Sequence, residues 1–135
     1  MRRAAVTLFV LALSLAACGG ERTFSAQSLI DEVNAEGAGL ALGPVIATNP
    51  DGFDVYQVRL AAPAESPTGK VTEPTGNGAL VMLDDAGAAE DELARCESAP
   101  AFTCFRAANA VLRFEGLFPE EQARISTAFQ AIATE

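Results

Sequence analysis

The sequence predicts an α+β domain: a mostly antiparallel sheet of about four strands with helices packed on one face, in the order α-β-β-β-α-β-α. Three observations lead to that class. Helical periodicity marks 24–37, 84–97 and 119–132, at the two ends of the foldable region and once in its middle. Between 40 and 83 three extended segments follow one another with no helical pattern between them, which favours antiparallel pairing over crossover connections. Half of the 135 residues are hydrophobic, enough to build a core in a chain too short for two ordinary domains.

Each element has a local reason. Ser25 suits an N-cap, with Phe24 before it able to pack on Leu29 at N4; Leu29, Ile30 and Val33 share a face, and Gly37 suits the residue just past the helix end. Leu40 to Ile46 reads as a first strand. Asn49-Pro50-Asp51-Gly52 is a turn, because proline presets φ and glycine supplies a positive one. Phe53 to Leu60 alternates: Tyr56, Val58 and Leu60 point one way and Val55, Gln57 and Arg59 the other. The stretch 61–78 holds three prolines and three glycines and is expected to be a long mobile connection. Ala79 to Leu83 is a third strand. Asp84 or Asp85 caps a second helix running to about Glu97, with Ala86, Ala89, Leu93 and Cys96 on its buried stripe, Glu90, Asp91 and Glu92 on its wet side, and Asp91 placed to pair with Arg95. A last strand heads from Cys104 towards Glu115, with Ala110, Leu112 and Phe114 facing in. Pro119 at N1, followed by Glu120 and Glu121, opens a final helix whose stripe is Ile125, Ala128, Phe129 and Ile132.

The N-terminus is of a different kind. Met1-Arg2-Arg3 is a basic start, Ala4 to Ala17 carries no charge, and Leu15-Ala16-Ala17-Cys18 closes the run before Gly19-Gly20. These fourteen uncharged residues give about 21 Å of helix at ~1.5 Å per residue, short of a hydrocarbon core of about 30 Å. An export signal is therefore expected over 1–17. The Leu-Ala-Ala-Cys quartet resembles the lipobox of bacterial lipoproteins. That resemblance implies cleavage before Cys18, acylation of its thiol and N-terminus, a tether over 18–23, and a single domain over 24–135 held at the extracytoplasmic face of the cell membrane.

Composition removes several functions. Loss of Arg2 and Arg3 leaves seven basic residues against eighteen acidic ones, a net charge of −11, so nucleic acid is not an expected partner. There is no histidine, which removes the imidazole base of a nucleophilic triad and the commonest nitrogen ligand of zinc or copper. Seven residues separate Cys96 from Cys104; in an exported chain the two are expected to form a disulfide, with no C-x-x-C redox spacing. The acids around Asp84-Asp85 and Glu90-Asp91-Glu92 do not follow a calcium-loop spacing, and no metal or other cofactor is expected. Ser66 and Lys70 have the residue types of a dyad but lie in the proline- and glycine-rich stretch.

One constellation invites a functional reading. On a continuous strand from Phe102 to Phe114, Arg106 would share a face with Cys104, Ala108 and Ala110. Such an arginine must be paired, be turned out by a bend near Arg106 to Ala108, or open on a pocket, where Asn109 and Tyr56 would help it read a carboxylate. The stretch Cys104-Phe105-Arg106-Ala107-Ala108-Asn109, running on to Leu112-Arg113-Phe114-Glu115, resembles segments of uncharacterised small actinobacterial-type lipoproteins, which implies no particular activity. The expectation is a non-enzymatic, membrane-anchored envelope domain that binds a partner protein or a small ligand. Its alternatives are a small hydrolase working with carboxylates alone and a structural accessory subunit of an envelope complex.

Overall fold

A computed structural model describes residues 22–61 and 77–133. The segment 1–17 expected to be an export signal, Cys18, Ser66, Lys70 and most of the 61–78 connection lie outside the described residues. The elements are α1 (Ala26–Ala35), β1 (Leu40–Thr48), β2 (Asp54–Leu60), β3 (Asn77–Met82), α2 (Ala86–Glu97), β4 (Thr103–Ala107), β5 (Ala110–Glu115) and α3 (Pro119–Ala133). The class is α+β, with an antiparallel sheet in the order β1-β2-β3-β5-β4. Asn77 and Gly78, assigned from sequence to the connection, begin β3. Among the described residues no helix is long and apolar enough to cross a membrane.

The sheet has five strands where about four were expected, and the order along the chain is α-β-β-β-α-β-β-α. The difference lies at Ala108-Asn109. Ala107 pairs with Ala110, so the chain reverses across two residues, and Ala108 sits in the left-handed region at φ 47°. A left-handed alanine costs about 1–2 kcal/mol and carries none of the glycine signal that marks most two-residue hairpins. The disulfide therefore joins α2 to β4, the edge strand, and not to the last strand.

The helices also occupy both faces of the sheet. On one face α1 and α3 cover Val58, Leu60, Leu80, Phe105, Leu112 and Phe114. On the other, Ala89 and Cys96 of α2 pack with Val55, Ala79, Val81 and Val111. Only a strand covered on both faces needs a continuous apolar run, and β3 and β5 carry such runs at Ala79-Leu80-Val81 and Ala110-Val111-Leu112. β2 alternates, with Gln57 only half-buried and Arg59 exposed on the face where α2 covers only Val55.

Local signals are realised closely at α1. The Ser25 hydroxyl accepts from the Ser28 amide at 3.1 Å, while the Ser28 hydroxyl accepts from the Ser25 amide at 2.9 Å. At its other end the amides of Gly37 and Ala38 donate to the carbonyls of Asn34 and Val33 at 2.9 and 3.0 Å, with Gly37 at φ 93°. In the 49–52 turn the Asn49 Oδ1 accepts from the amides of Asp51 and Phe53, and Gly52 takes φ 89°. α2 is capped by Asp85, whose carboxylate accepts from the Ala88 amide at 2.8 Å. Ala89 and Cys96 are buried as expected and Leu93 packs half-buried against the same cluster, but Glu92, assigned to the wet side, is buried as well. Glu92 accepts from Arg95 at 2.8 Å, and Arg95 reaches on to Asp51 at 3.3 Å, so Arg95 pairs with Glu92 in the place assigned to Asp91.

Cys96 and Cys104 are disulfide-bonded, with Cα atoms 6.2 Å apart. On the chain-entropy model a loop this short contributes about 2.6 kcal/mol. Replacing both cysteines by serine is expected to lower the unfolding free energy by at least that amount, because Cys96 is buried and serine brings a hydroxyl into its place. Urea unfolding of the variant checks it; a loss below about 1 kcal/mol would show that the bond adds nothing beyond packing.

Candidate interaction surfaces

The three residues singled out as a binding group are dispersed by the fold. Asn109 is 4 % exposed, and its amide is committed to backbone. Its Oδ1 accepts from the Phe24 amide at 2.7 Å, and its Nδ2 donates to the carbonyls of Phe24 and Leu83 at 3.0 and 2.9 Å. The Leu83 amide in turn donates to the Asn109 carbonyl at 2.7 Å. Asn109 is thus a clasp between the beginning of the domain, the end of β3 and the β4–β5 turn. Its sequence signal was real, since a buried polar residue needs partners, but the partners are main chain and not a ligand.

Tyr56 lies on β2, opposite Val45 and Leu80, and packs half-buried on the α1–α3 side. Arg106 lies on β4 and, like Cys104 two residues before it, starts from the α2 side. Two strands stand between β2 and β4, a separation of about 14 Å at ~4.8 Å per strand. No single ligand of modest size touches both.

Arg106 itself is held where the turn reverses. Its guanidinium donates to the Ala108 carbonyl at 3.0 Å and comes within 3.8 Å of Glu90 on α2. The acid facing it is therefore Glu90, on the exposed side of α2. Arg106 also lines a shallow cleft of about 180 Å³ with Arg22, Phe24, Ala107, Ala108, Ile132 and Ala133.

Arg22 and Phe24 were missed as members of any site. Arg22 was assigned to a free tether, yet it forms a two-pronged ion pair with Glu32 and lies 4.8 Å above the Phe24 ring. The signal was present: a basic residue and an aromatic two apart, just before a capped helix. Neighbouring clefts of about 210 and 240 Å³ share Arg106 and Ala133 or Arg22 and Ile132 with the first. All three hollows therefore surround one corner, where the last turn of α3 meets the β4–β5 turn. Each is below the ~300–1,000 Å³ of pockets that enclose a small molecule.

A second surface lies across the sheet on β1. From Pro44 to Thr48 every residue of this edge strand is exposed, including Val45 at 49 % and Ile46 at 55 %. The pairing with β2 slips twice, between Leu42 and Val45 and between Val45 and Ala47. Gly43 allows the close approach there, since a Cβ would come within 3.0 Å of the Gln57 carbonyl. Bulges and a proline are the devices by which an edge strand avoids indiscriminate pairing, yet here they leave two large apolar side chains in water.

Among the described residues no group of three potential ligands from His, Cys, Asp and Glu is placed to hold a metal ion. Comparison of the chain with models of protein families, with curated proteins and with solved structures finds no match.

Proposed function

We propose that this protein is a lipid-anchored domain on the extracytoplasmic face of a bacterial cell membrane, and that it binds a partner protein there without catalysing a reaction. The address rests on the Leu15-Ala16-Ala17-Cys18 quartet behind a basic start and an uncharged run. The observation that carries the binding role is the adjacent, exposed Val45-Ile46 pair on β1, an edge strand of the sheet among the described residues. Large side chains left in water on an edge strand are suited to burial by another chain. The small volumes of the clefts favour a protein over a small ligand. A carboxylate hydrolase needs two acids converging on a reacting bond, and where Glu32 and Glu36 line one cleft together, Glu32 is already bound to Arg22. The accessory-subunit reading shares the β1 surface and differs only in how permanent the contact is.

The test uses Val45→Asp with Ile46→Lys. Both positions are about half exposed, so the change in unfolding free energy is expected to stay within about 1 kcal/mol. Recovery of a co-purifying protein from solubilised membranes is expected to fall at least about tenfold, equivalent to 1.4 kcal/mol of contact energy. Equal recovery with the native and substituted chains would refute the β1 assignment. Loss of acyl labelling in Cys18→Ala, with retention in the native chain, checks the anchor separately.

A further inference from the structure

The way the chain joins the fold fixes which side of the domain can meet the membrane. This step rests on the lipid-anchor reading. Three hydrogen bonds of the Asn109 side chain hold Phe24 and Leu83, one accepted from the Phe24 amide and two donated to carbonyls, and the Arg22–Glu32 pair fastens the chain two residues earlier. The free tether from Cys18 is then Gly19-Gly20-Glu21, a reach of at most about 14 Å to Arg22 at ~3.6 Å per residue. Arg22 sits beside Ala107, Ala108, Ile132 and Ala133, at the corner made by the last turn of α3 and the β4–β5 turn.

The opposite limits of the domain are farther away than the tether is long. α3 has fifteen residues, so Phe118 at its start stands about 22 Å from that corner at ~1.5 Å per residue. Four strand spacings of ~4.8 Å place the β1 edge about 19 Å from β4. Chemistry agrees with distance. At the corner Arg22 is paired with Glu32, Arg106 faces Glu90 at 3.8 Å and Glu36 lines the same hollow as Arg22, so its charges nearly balance beside uncharged Ser126, Gln130 and Ala133, in a mature chain whose net charge is −11. Elsewhere that charge repels the phosphates of lipid headgroups.

We infer that the α3–β4 corner, carrying Arg22, Arg106 and Gln130, is the surface that rests against the bilayer headgroups, and that the β1 edge with Val45 and Ile46 is turned outwards to partners. The occupant of the corner is the lipid surface itself. Held this way, the exposed pair on β1 is presented at nearly the full width of the sheet from the membrane.

The test is made on the full, lipidated chain in vesicles of phosphatidylethanolamine and phosphatidylglycerol. Single cysteines at Gln130→Cys, Phe118→Cys and Val45→Cys, all at exposed positions, carry a fluorophore. A headgroup nitroxide lipid serves as quencher. Quenching at position 130 is expected to exceed that at 118 and 45 at least about threefold, since the start of α3 and the β1 edge stand about 22 and 19 Å from the corner. Equal quenching at all three positions in protein that floats with the vesicles would overturn the inference and leave the anchor intact. A chain that does not float with the vesicles would remove the anchor reading and this inference with it.

Discussion

Phe114→Ala is expected to cost about 4 kcal/mol of unfolding free energy, in the range of buried aromatic truncations. Phe114 has no exposure, lies in the middle of the α1–α3 side, and stands opposite Gly78 in the β3–β5 ladder. The glycine is required by the ring. A Cβ at position 78 would lie 2.5 Å from Phe114 Cζ and 2.7 Å from the Val58 carbonyl oxygen. Gly78→Ala is therefore expected to cost about 2–3 kcal/mol through overpacking in a central strand. The double variant should lose less than the two singles together, by at least about 1 kcal/mol, because removing the ring opens the space that the new methyl enters. The cancellation is partial, since the Val58 carbonyl belongs to the backbone of β2 and remains in place. Urea unfolding of the four proteins closes the cycle. Strict additivity would mean that the ring is not what excludes a side chain at position 78.

Asn109→Ala is expected to cost about 3 kcal/mol, although it removes only a few atoms. It strands the amide and carbonyl of Phe24 and the carbonyl of Leu83, and a buried polar group left unpaired costs about 1–3 kcal/mol. For a domain of this size that corresponds to a fall in Tm of at least about 12 °C. Asn109→Asp keeps the shape but offers oxygen where Nδ2 donated to two carbonyls, so it should do no better near neutral pH. Amide exchange at Phe24 is the local readout: it should rise in both variants by more than the global destabilisation explains, because the clasp is what holds that residue to the fold. A stability change under about 0.5 kcal/mol in Asn109→Ala would show that water replaces the clasp without loss.

The two ends of the sheet differ in construction. At one corner the start of the described chain is fastened by the Arg22–Glu32 pair and the Asn109 clasp on Phe24. At the opposite edge the ladder is irregular and apolar residues stand in water. The disulfide and the Glu92–Arg95–Asp51 chain tie α2 to the edge strand β4 at one side and to the 49–52 turn at the other. α2 is thereby a brace across the face of the sheet that α1 and α3 leave open.

The sequence by itself determined whatever depends on neighbours along the chain. The caps at Ser25 and Asp85, the stop at Gly37, the 49–52 turn, the buried stripe of α3 and the Cys96–Cys104 bond were all legible, because propensity, periodicity and short loop closure act within about ten residues. The tertiary structure alone decided the split of β4 from β5, the placing of α2 on the second face and the roles of Arg106, Asn109 and Tyr56. Ala107-Ala108-Asn109-Ala110 carries no glycine, so its reversal is stabilised from outside by Phe24 and Leu83, residues 85 and 26 positions away. The continuous runs in β3 and β5 held the clue to two covered faces, but an apolar run states only that a strand is buried and never by what. Arg106 and Tyr56 fit one imagined face as long as the strand was unbroken; once the chain turns at Ala108, sheet order separates them. Residue chemistry was readable in one dimension, whereas which side chains meet was set by long-range pairing that no local pattern encodes.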